Sequence, residues 1–302
     1  MEEISKLSKR ISLTANTDER IASHCVCCGS DSLNSSPAII MPFISHRAFA
    51  WKPMKIDKHW GLKTIQPGMA YGLCNSLMCD NCNLLFMDIR FTANEMTSLY
   101  RDYRGEEYTK LREYYEPGYS LRNQELAQPL VYLKKTEEFI AGFVQNPQAI
   151  LDWGGDTGIN TPFKSVANII DIYDISDKIG ADGSSVTNKT KLLNKSFDLI
   201  TCCNVLEHVP YPASVLAQLS EFMSMSTKLF IEVPFESLMI RGEKDNLLSM
   251  KRHWHEHINF FSEKSIICLL ARSNFNILSM RSIPTNEKGN QSNVFQIICD
   301  RK

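Results

Sequence analysis

From about residue 120 onward, short apolar runs alternate with longer stretches of helical spacing, the pattern of an α/β domain. Residues 149–153, AILDW, predict a short buried strand, preceded by a helical pattern from about Leu121 to Phe143. A second apolar strand, within VANIIDIYDIS, ends at Asp174, and FDLITCC (197–203) reads as a central strand. Pro210 and Pro212 then set up a helix over ASVLAQLSEFM. KLFIEV predicts the next strand, and Pro234 opens a long loop carrying Arg241, Lys251 and Arg252. Earlier in the chain the patterning is weaker, and neither an internal repeat nor a low-complexity tract occurs. We divide the chain into a polar N-terminus expected to be mobile (1–20), a cysteine-bearing head with a tyrosine-rich connector (21–118), and an α/β domain (119–302).

Charge and composition narrow the class. The 302 residues carry a formal net charge of −1, which shows no electrostatic footprint for nucleic acid or an anionic membrane. The opening MEEISKLSKR lacks the apolar stretch of a signal peptide, and no apolar run is long enough to span a bilayer. The expectation is a soluble cytoplasmic protein with neither nucleic acid nor membrane as partner.

In that compartment ten cysteines read as metal ligands or buried thiols before disulfides. Six lie between Cys25 and Cys82. Cys25-x-x-Cys28-Gly29 and Cys79-x-x-Cys82-Asn83 supply the four thiolates that a tetrahedral zinc needs. Each pair is followed by a residue that tolerates positive φ, as the turn around such a metal requires. The alternative is a set of reduced, packed thiols. Cys27 and Cys74 are left over and expected to be packed. A closed four-cysteine site has no open position for substrate, so its role would be folding.

The stretch after the first strand reads Gly154-Gly155-Asp156-Thr157-Gly158. A dinucleotide fingerprint would have glycine at the position of Asp156, and a carboxylate there repels phosphate oxygens. S-adenosylmethionine has no phosphate; it carries a sulfonium and an ammonium. An acidic strand end at Asp152 suits those cations, and Asp174, at the end of the next strand, suits the ribose hydroxyls. The alternative is a strand-to-helix turn with no ligand.

These residues give a resemblance to the class I S-adenosylmethionine-dependent methyltransferases. It covers roughly residues 120–302 and rests on ILDWGGDTG, YDIS, FDLITCCNVLEHVPYP, KLFIEVPF and HEHINFFS. It implies a Rossmann-like α/β fold with a mostly parallel seven-stranded sheet flanked by helices. It also implies that Asp152, Gly154 and Gly158 line the methionine side of the cofactor, that Asp174 binds its ribose, and that Gly155 and Asn204 lie beside it. With the cysteine head added, the chain is similar to bacterial sugar methyltransferases, including C-methyltransferases acting on nucleotide-linked sugars. Those enzymes carry a small N-terminal zinc-binding module with two cysteine pairs, an Asn/Val-Leu-Glu-His segment and a late-loop Glu-His.

Asn204 and Glu207-His208 follow the central strand, beside the expected cleft. The late loop reads His253-Trp254-His255-Glu256-His257. In an extended segment its three histidines would share one face, which makes a second metal site conceivable. The resemblance points instead to His257 as general base supported by Glu256, with His208 as the rival. A hydroxyl, or a carbon beside a carbonyl, must lose a proton to become a nucleophile, and histidine suits that step near neutral pH. The connector holds six tyrosines and three arginines between 100 and 119. It is either a solvated amphipathic helix or a lid whose Tyr108, Arg112 and Tyr119 meet the acceptor. The expected function is methyl transfer from S-adenosylmethionine to a sugar or nucleotide-linked sugar. The alternatives are an RNA methyltransferase gripping nucleic acid with the zinc head, and a non-catalytic zinc-and-Rossmann scaffold for a protein partner; a nicotinamide oxidoreductase ranks last.

Overall fold

The computed structural model describes residues 19–61, 63–176, 185–186, 188–242, 246–285 and 292–302. Of the N-terminus expected to be mobile, all but residues 19 and 20 lies outside the described residues. The chain opens with β1 (Leu33–Ile40), α1 (Pro42–Phe49), a small hairpin of β2 (Met54–Ile56) and β3 (Gly68–Ala70), then β4 (Gly72–Cys79) and β5 (Leu85–Met87). Four helices follow: α2 (Ala93–Tyr100), α3 (Glu106–Tyr115), α4 (Tyr119–Leu126) and α5 (Leu133–Ala141). The α/β part runs through β6 (Ala149–Trp153), β7 (Ile169–Tyr173), β8 (Ser185–Val186), β9 (Leu199–Cys203), α6 (Pro212–Glu221) and β10 (Lys228–Phe235). It ends with α7 (Ser237–Arg241), α8 (Leu247–Met250), β11 (His253–Trp254), β12 (Asn259–Phe260), α9 (Glu263–Arg272), β13 (Phe275–Pro284) and β14 (Asn293–Arg301).

The larger sheet has the order β13-β14-β10-β9-β6-β7-β8. Its β10-β9-β6-β7-β8 portion is parallel, and β14 and β13 add antiparallel pairings at one edge. The central β6 has Ile150, Leu151, Asp152 and Trp153 all buried, as a strand covered on both faces must. Pro234 does not open the loop. It lies inside β10 opposite Val294, beyond the point where pairing with β9 stops at Glu232, so its missing N–H breaks no ladder bond to β9.

The helix expected from Leu121 to Phe143 is two, α4 and α5. Pro129 lies between them; it has no N–H and disfavours helical backbone at the preceding residue. The Leu130 N–H donates to Asn160 Oδ1 at 2.9 Å, which ties the break to the loop after β6. The connector likewise forms separate short helices. α2 starts with a reciprocal cap between Thr92 and Glu95, which the sequence TANE carries on its face.

The smaller sheet has the order β11-β1-β4-β5-β12. Its two edge strands come from the late loop, about 170 residues beyond its core strands, a span assigned by sequence to the α/β domain. β11 runs parallel to β1, and β12 antiparallel to β5. One apolar cluster contains Cys25, Cys27, Cys79 and Cys82 together with Leu219 of α6, Leu269 of α9 and Ile200 of β9. The head and the α/β layer thus share a core, and Cys27 and Cys74 are buried as expected. Among the described residues no helix is long and apolar enough to cross a membrane.

The seam between the layers is polar and densely hydrogen-bonded. Asn259 Nδ2 donates to the carbonyls of Leu206 (2.9 Å) and Val209 (2.8 Å). Its Oδ1 accepts from Arg90 Nη1 at 3.1 Å, and the same nitrogen reaches the Pro210 carbonyl at 3.1 Å. The Glu207 carbonyl accepts the N–H groups of Ile258 and Asn259. Both Arg90 and Asn259 are about 1% exposed, so water cannot replace these bonds. Asn259→Ala removes one acceptor and two donors at once. Urea denaturation should show a stability loss of about 2–4 kcal/mol, the cost of leaving such groups buried and unpaired.

Candidate functional site

A cavity of about 730 Å³ opens at the carboxyl ends of β6, β7, β9 and β10, with α2, α3 and α4 closing the far side. It lies where the strand order reverses between β6 and β9, the position at which open α/β sheets bind ligands.

The loop after β6 forms its floor. Gly154 has φ 77° and donates its N–H to the Tyr173 carbonyl at 2.7 Å. A Cβ there would lie 2.3 Å from Val205 Cγ2, so both backbone and space demand glycine. At Gly155 a Cβ would meet Asp152 Oδ2 at 2.5 Å. Gly158 has φ 76°. Asp156 takes φ 51°, a conformation that aspartate tolerates better than most residues, which explains how it stands where glycine was the alternative.

Asp156 donates its N–H to Asp174 Oδ2 at 2.9 Å, and Ser176 donates its own to Oδ1 at 2.8 Å. The Asp174 carboxylate is thereby aimed at the cavity, which it lines. Asp152 is different: it is buried and accepts from Thr161 Oγ1 and Thr201 Oγ1 at 2.5 and 2.6 Å. Burial raises its pKa, and the two hydroxyls oppose that rise. It braces the loop from below. Asn204 lines the cavity with φ 54°, its side chain 3.4 Å from Glu232 Oε1.

On the opposite wall Glu207, His208 and His257 bring one donor atom each within 4.8 Å of one another. His208 Nδ1 lies 3.1 Å from the Glu256 carbonyl and 2.8 Å from Tyr100 Oη. A carbonyl only accepts, so Nδ1 carries the proton and Nε2 presents its lone pair. His257 Nδ1 donates to Glu236 Oε1 at 2.6 Å, which leaves its Nε2 in the same state. Burial, with His257 adding to it, pulls His208 down to about 3, so this ring is neutral. Burial also works against charge on His257, but the Glu236 hydrogen bond and the Glu207 carboxylate prevail and raise it. Burial pushes Glu207 up to about 8.

Glu256 acts on His257 through its charge, and its hydrogen bond goes to Arg112. Its Oε1 accepts from Arg112 Nη1 at 2.8 Å, and against its burial that guanidinium holds it down at about 2. Arg112 also donates from Nε to Glu116 and lies 4.2 Å over the Tyr119 ring. Tyr108 is fully buried edge-on against Phe43 and accepts from Arg112, so it stands behind the wall. Tyr103, Arg104 and Tyr119 face the cavity in its place. The three late-loop histidines do not converge: among the described residues, His253 and His255 belong to no cluster with metal-ligand spacing.

Glu236 and Glu232 were not singled out from the sequence. Glu236 follows β10, and an acidic residue just past the carboxyl end of a parallel strand is a readable signal. Glu232 gave none: it is buried within the strand, accepting from Tyr132 Oη and Gln296 Nε2.

The four thiols of Cys25, Cys28, Cys79 and Cys82 form a second cluster, all within 4.8 Å of one another. Cys25–Cys82 and Cys28–Cys79 are 3.5 Å apart. A tetrahedral zinc with Zn–S of about 2.3 Å would set its sulfurs about 3.8 Å apart. Gly29 (φ 76°) and Asn83 (φ 60°) donate their N–H groups to the carbonyls of Cys25 and Cys79, so the two turns repeat one geometry.

Residues 123–280 match the family profile described as a methyltransferase domain. A ubiquinone biosynthesis O-methyltransferase from Hahella chejuensis is 31% identical over 97 residues, which cover 30% of this chain and 41% of that protein. The match therefore spans about two-fifths of that relative's length. Among solved structures, the 1,6-didemethyltoxoflavin-N1-methyltransferase of Burkholderia thailandensis is similar with a TM-score of 0.50 and 14% identity. That similarity covers 75% of this chain and 96% of the other, and shows a shared fold.

The contact between Gly154 and Val205 can be tested directly. Gly154→Ala should cost about 1–3 kcal/mol in thermal or urea unfolding, from overpacking and from a side chain at positive φ. Adding Val205→Ala should return the steric part and leave about 1–2 kcal/mol of backbone strain.

Proposed function

The chain belongs to the methyltransferase-domain family, and from that premise we propose that it transfers the methyl group of S-adenosylmethionine to a sugar or nucleotide-linked sugar. Residues 123–280 are its S-adenosylmethionine-dependent methyltransferase domain. The observation that carries the proposal is the meeting of the glycine loop, Asp174 and the histidine cluster on one cavity. The names of the relatives point to small-molecule acceptors, which supports that class here.

The residues present fit the cofactor. No lysine or arginine lies in the loop from Gly154 to Gly158, and Asp156 repels phosphate, whereas a sulfonium and an ammonium suit this acidic floor. When bound, S-adenosylmethionine supplies an electrophilic methyl group. Asp174, held by two backbone N–H groups, is placed to accept hydrogen bonds from ribose hydroxyls. Gly154, Gly155 and Gly158 let the backbone approach closely, with Asn204 beside them and Asp152 bracing the loop.

His257 is the proposed group that activates the acceptor. Its Nδ1–H is anchored on Glu236, so its Nε2 is fixed as the accepting atom, with His208 next to it. Arg112 and Glu256 act through position, holding the segment that carries His257 against the connector helices. Tyr103, Tyr119 and Arg104 offer aromatic faces and a guanidinium, a lining that supports a sugar with an attached phosphate. The four cysteines are proposed to hold a structural zinc that ties Cys25-x-x-Cys28 to the end of β4. Cytoplasmic location, and an acceptor that is neither nucleic acid nor membrane, complete the proposal.

Calorimetry with S-adenosylhomocysteine is the primary test. Asp174→Ala should weaken binding by about 1.5–3 kcal/mol, the value of hydrogen bonds to a charged group; tight binding of a nicotinamide dinucleotide instead would defeat the proposal. His257→Ala should leave that affinity nearly intact and reduce turnover about 10²–10⁴-fold. Elemental analysis should find one zinc per chain, and Cys79→Ser should release it with a lower melting temperature.

A further inference from the structure

We infer that Glu207, His208 and His257 form a site for one divalent cation, whose open positions take an oxygen donor of the acceptor. The inference rests on reading the cavity as the acceptor site of a methyltransferase, and it changes how His257 acts there: as a ligand to the cation.

Spacing is the first ground. The three donor atoms lie within 4.8 Å of one another, and His208 Nε2 is 3.7 Å from Glu207 Oε1. Donors at about 2.0–2.2 Å from one ion stand roughly 3–3.5 Å apart, so a small inward shift completes the set. Two imidazoles and one carboxylate leave open positions, the donor set of substrate-binding sites for first-row divalent ions.

Orientation is the second. A ligating histidine characteristically donates its other ring N–H to a carboxylate or a carbonyl. Both rings already do so: His257 Nδ1 to Glu236, and His208 Nδ1 to the Glu256 carbonyl. Each ring is therefore oriented with Nε2 as the atom left for a ligand.

The third ground is Glu207 itself. It is about 1% exposed, and neither carboxylate oxygen has a hydrogen-bond partner. Its backbone is committed to Ile258 and Asn259, so the side chain cannot leave the cavity wall without breaking the seam. A carboxylate buried with both oxygens bare calls for a positive partner. The nitrogen and oxygen donors also separate this site from the all-sulfur cluster in the head, so the two would take different ions.

Manganese(II) is the probe, titrated into the full chain after mild chelation, with zinc content checked by elemental analysis. Electron paramagnetic resonance of free manganese should show one equivalent bound. Glu207→Gln and His257→Ala should each lower the affinity at least tenfold, and Glu236→Gln about 10–100-fold through loss of the orienting hydrogen bond. Thermal melts verify that each variant is folded. No uptake by the native chain, or equal uptake by the folded Glu207→Gln and His257→Ala variants, overturns the cation site. Calorimetry with S-adenosylhomocysteine on the same samples separates the two ideas: binding without manganese uptake leaves the methyltransferase reading standing with His257 as base.

Discussion

The Glu207 carbonyl accepts two N–H groups from residues 258 and 259, and Asn259 in turn binds the carbonyls of Leu206 and Val209. That exchange joins a loop at the end of β9 to a strand of the head sheet, and the meeting of the two histidines at the candidate site depends on it. It sets His257, which reaches the cavity from the head side, against His208, which reaches it from the sheet side, with ring centroids 4.6 Å apart. Arg90, buried and bonded to both partners, locks the seam from the end of β5. Because water is excluded, the hydrogen bonds across the seam must be made within the protein.

The same seam explains why the head is built as it is. Its two edge strands are borrowed from the loop that carries His253 to Phe260, so the smaller sheet is complete only when that loop is in place. Assembly of the head therefore delivers His257 to the cavity. The shared apolar cluster, running from the cysteine turns through α9 and α6 to β9, transmits the position of one layer to the other. The four cysteines lie beside or within that cluster, on two chain turns separated by about fifty residues.

Charge in the cavity is organised by burial. Asp152 is spent on two threonine hydroxyls, Glu232 on Tyr132 and Gln296, and Glu256 on Arg112, so each is a brace. Asp156 and Asp174 at the glycine loop, and Glu207 beside the histidines, are the other carboxylates that line the cavity. Two acidic residues with similar sequence surroundings can thus have unlike roles, and the partner decides which.

Much of this was legible along the chain, because it depends on neighbours in sequence. AILDW forms a strand with the expected limits, Asp174 follows the end of β7, and glycine stands at two of the three positive-φ positions of the loop, Gly154 and Gly158. The turns after Cys28 and Cys82 take the left-handed backbone that Gly29 and Asn83 favour. These are local rules of periodicity, sterics and turn chemistry, and one sequence suffices to read them. What only the tertiary structure decided are the pairings across long separations: Glu256 with Arg112, His257 with Glu236, Tyr108 withdrawn behind the wall, and two strands of the late loop joining the head. Glu256 and His257 are neighbours in sequence, yet one meets Arg112 and the other Glu236. Which partner each met depended on where α3 and the end of β10 came to rest, and packing settled that.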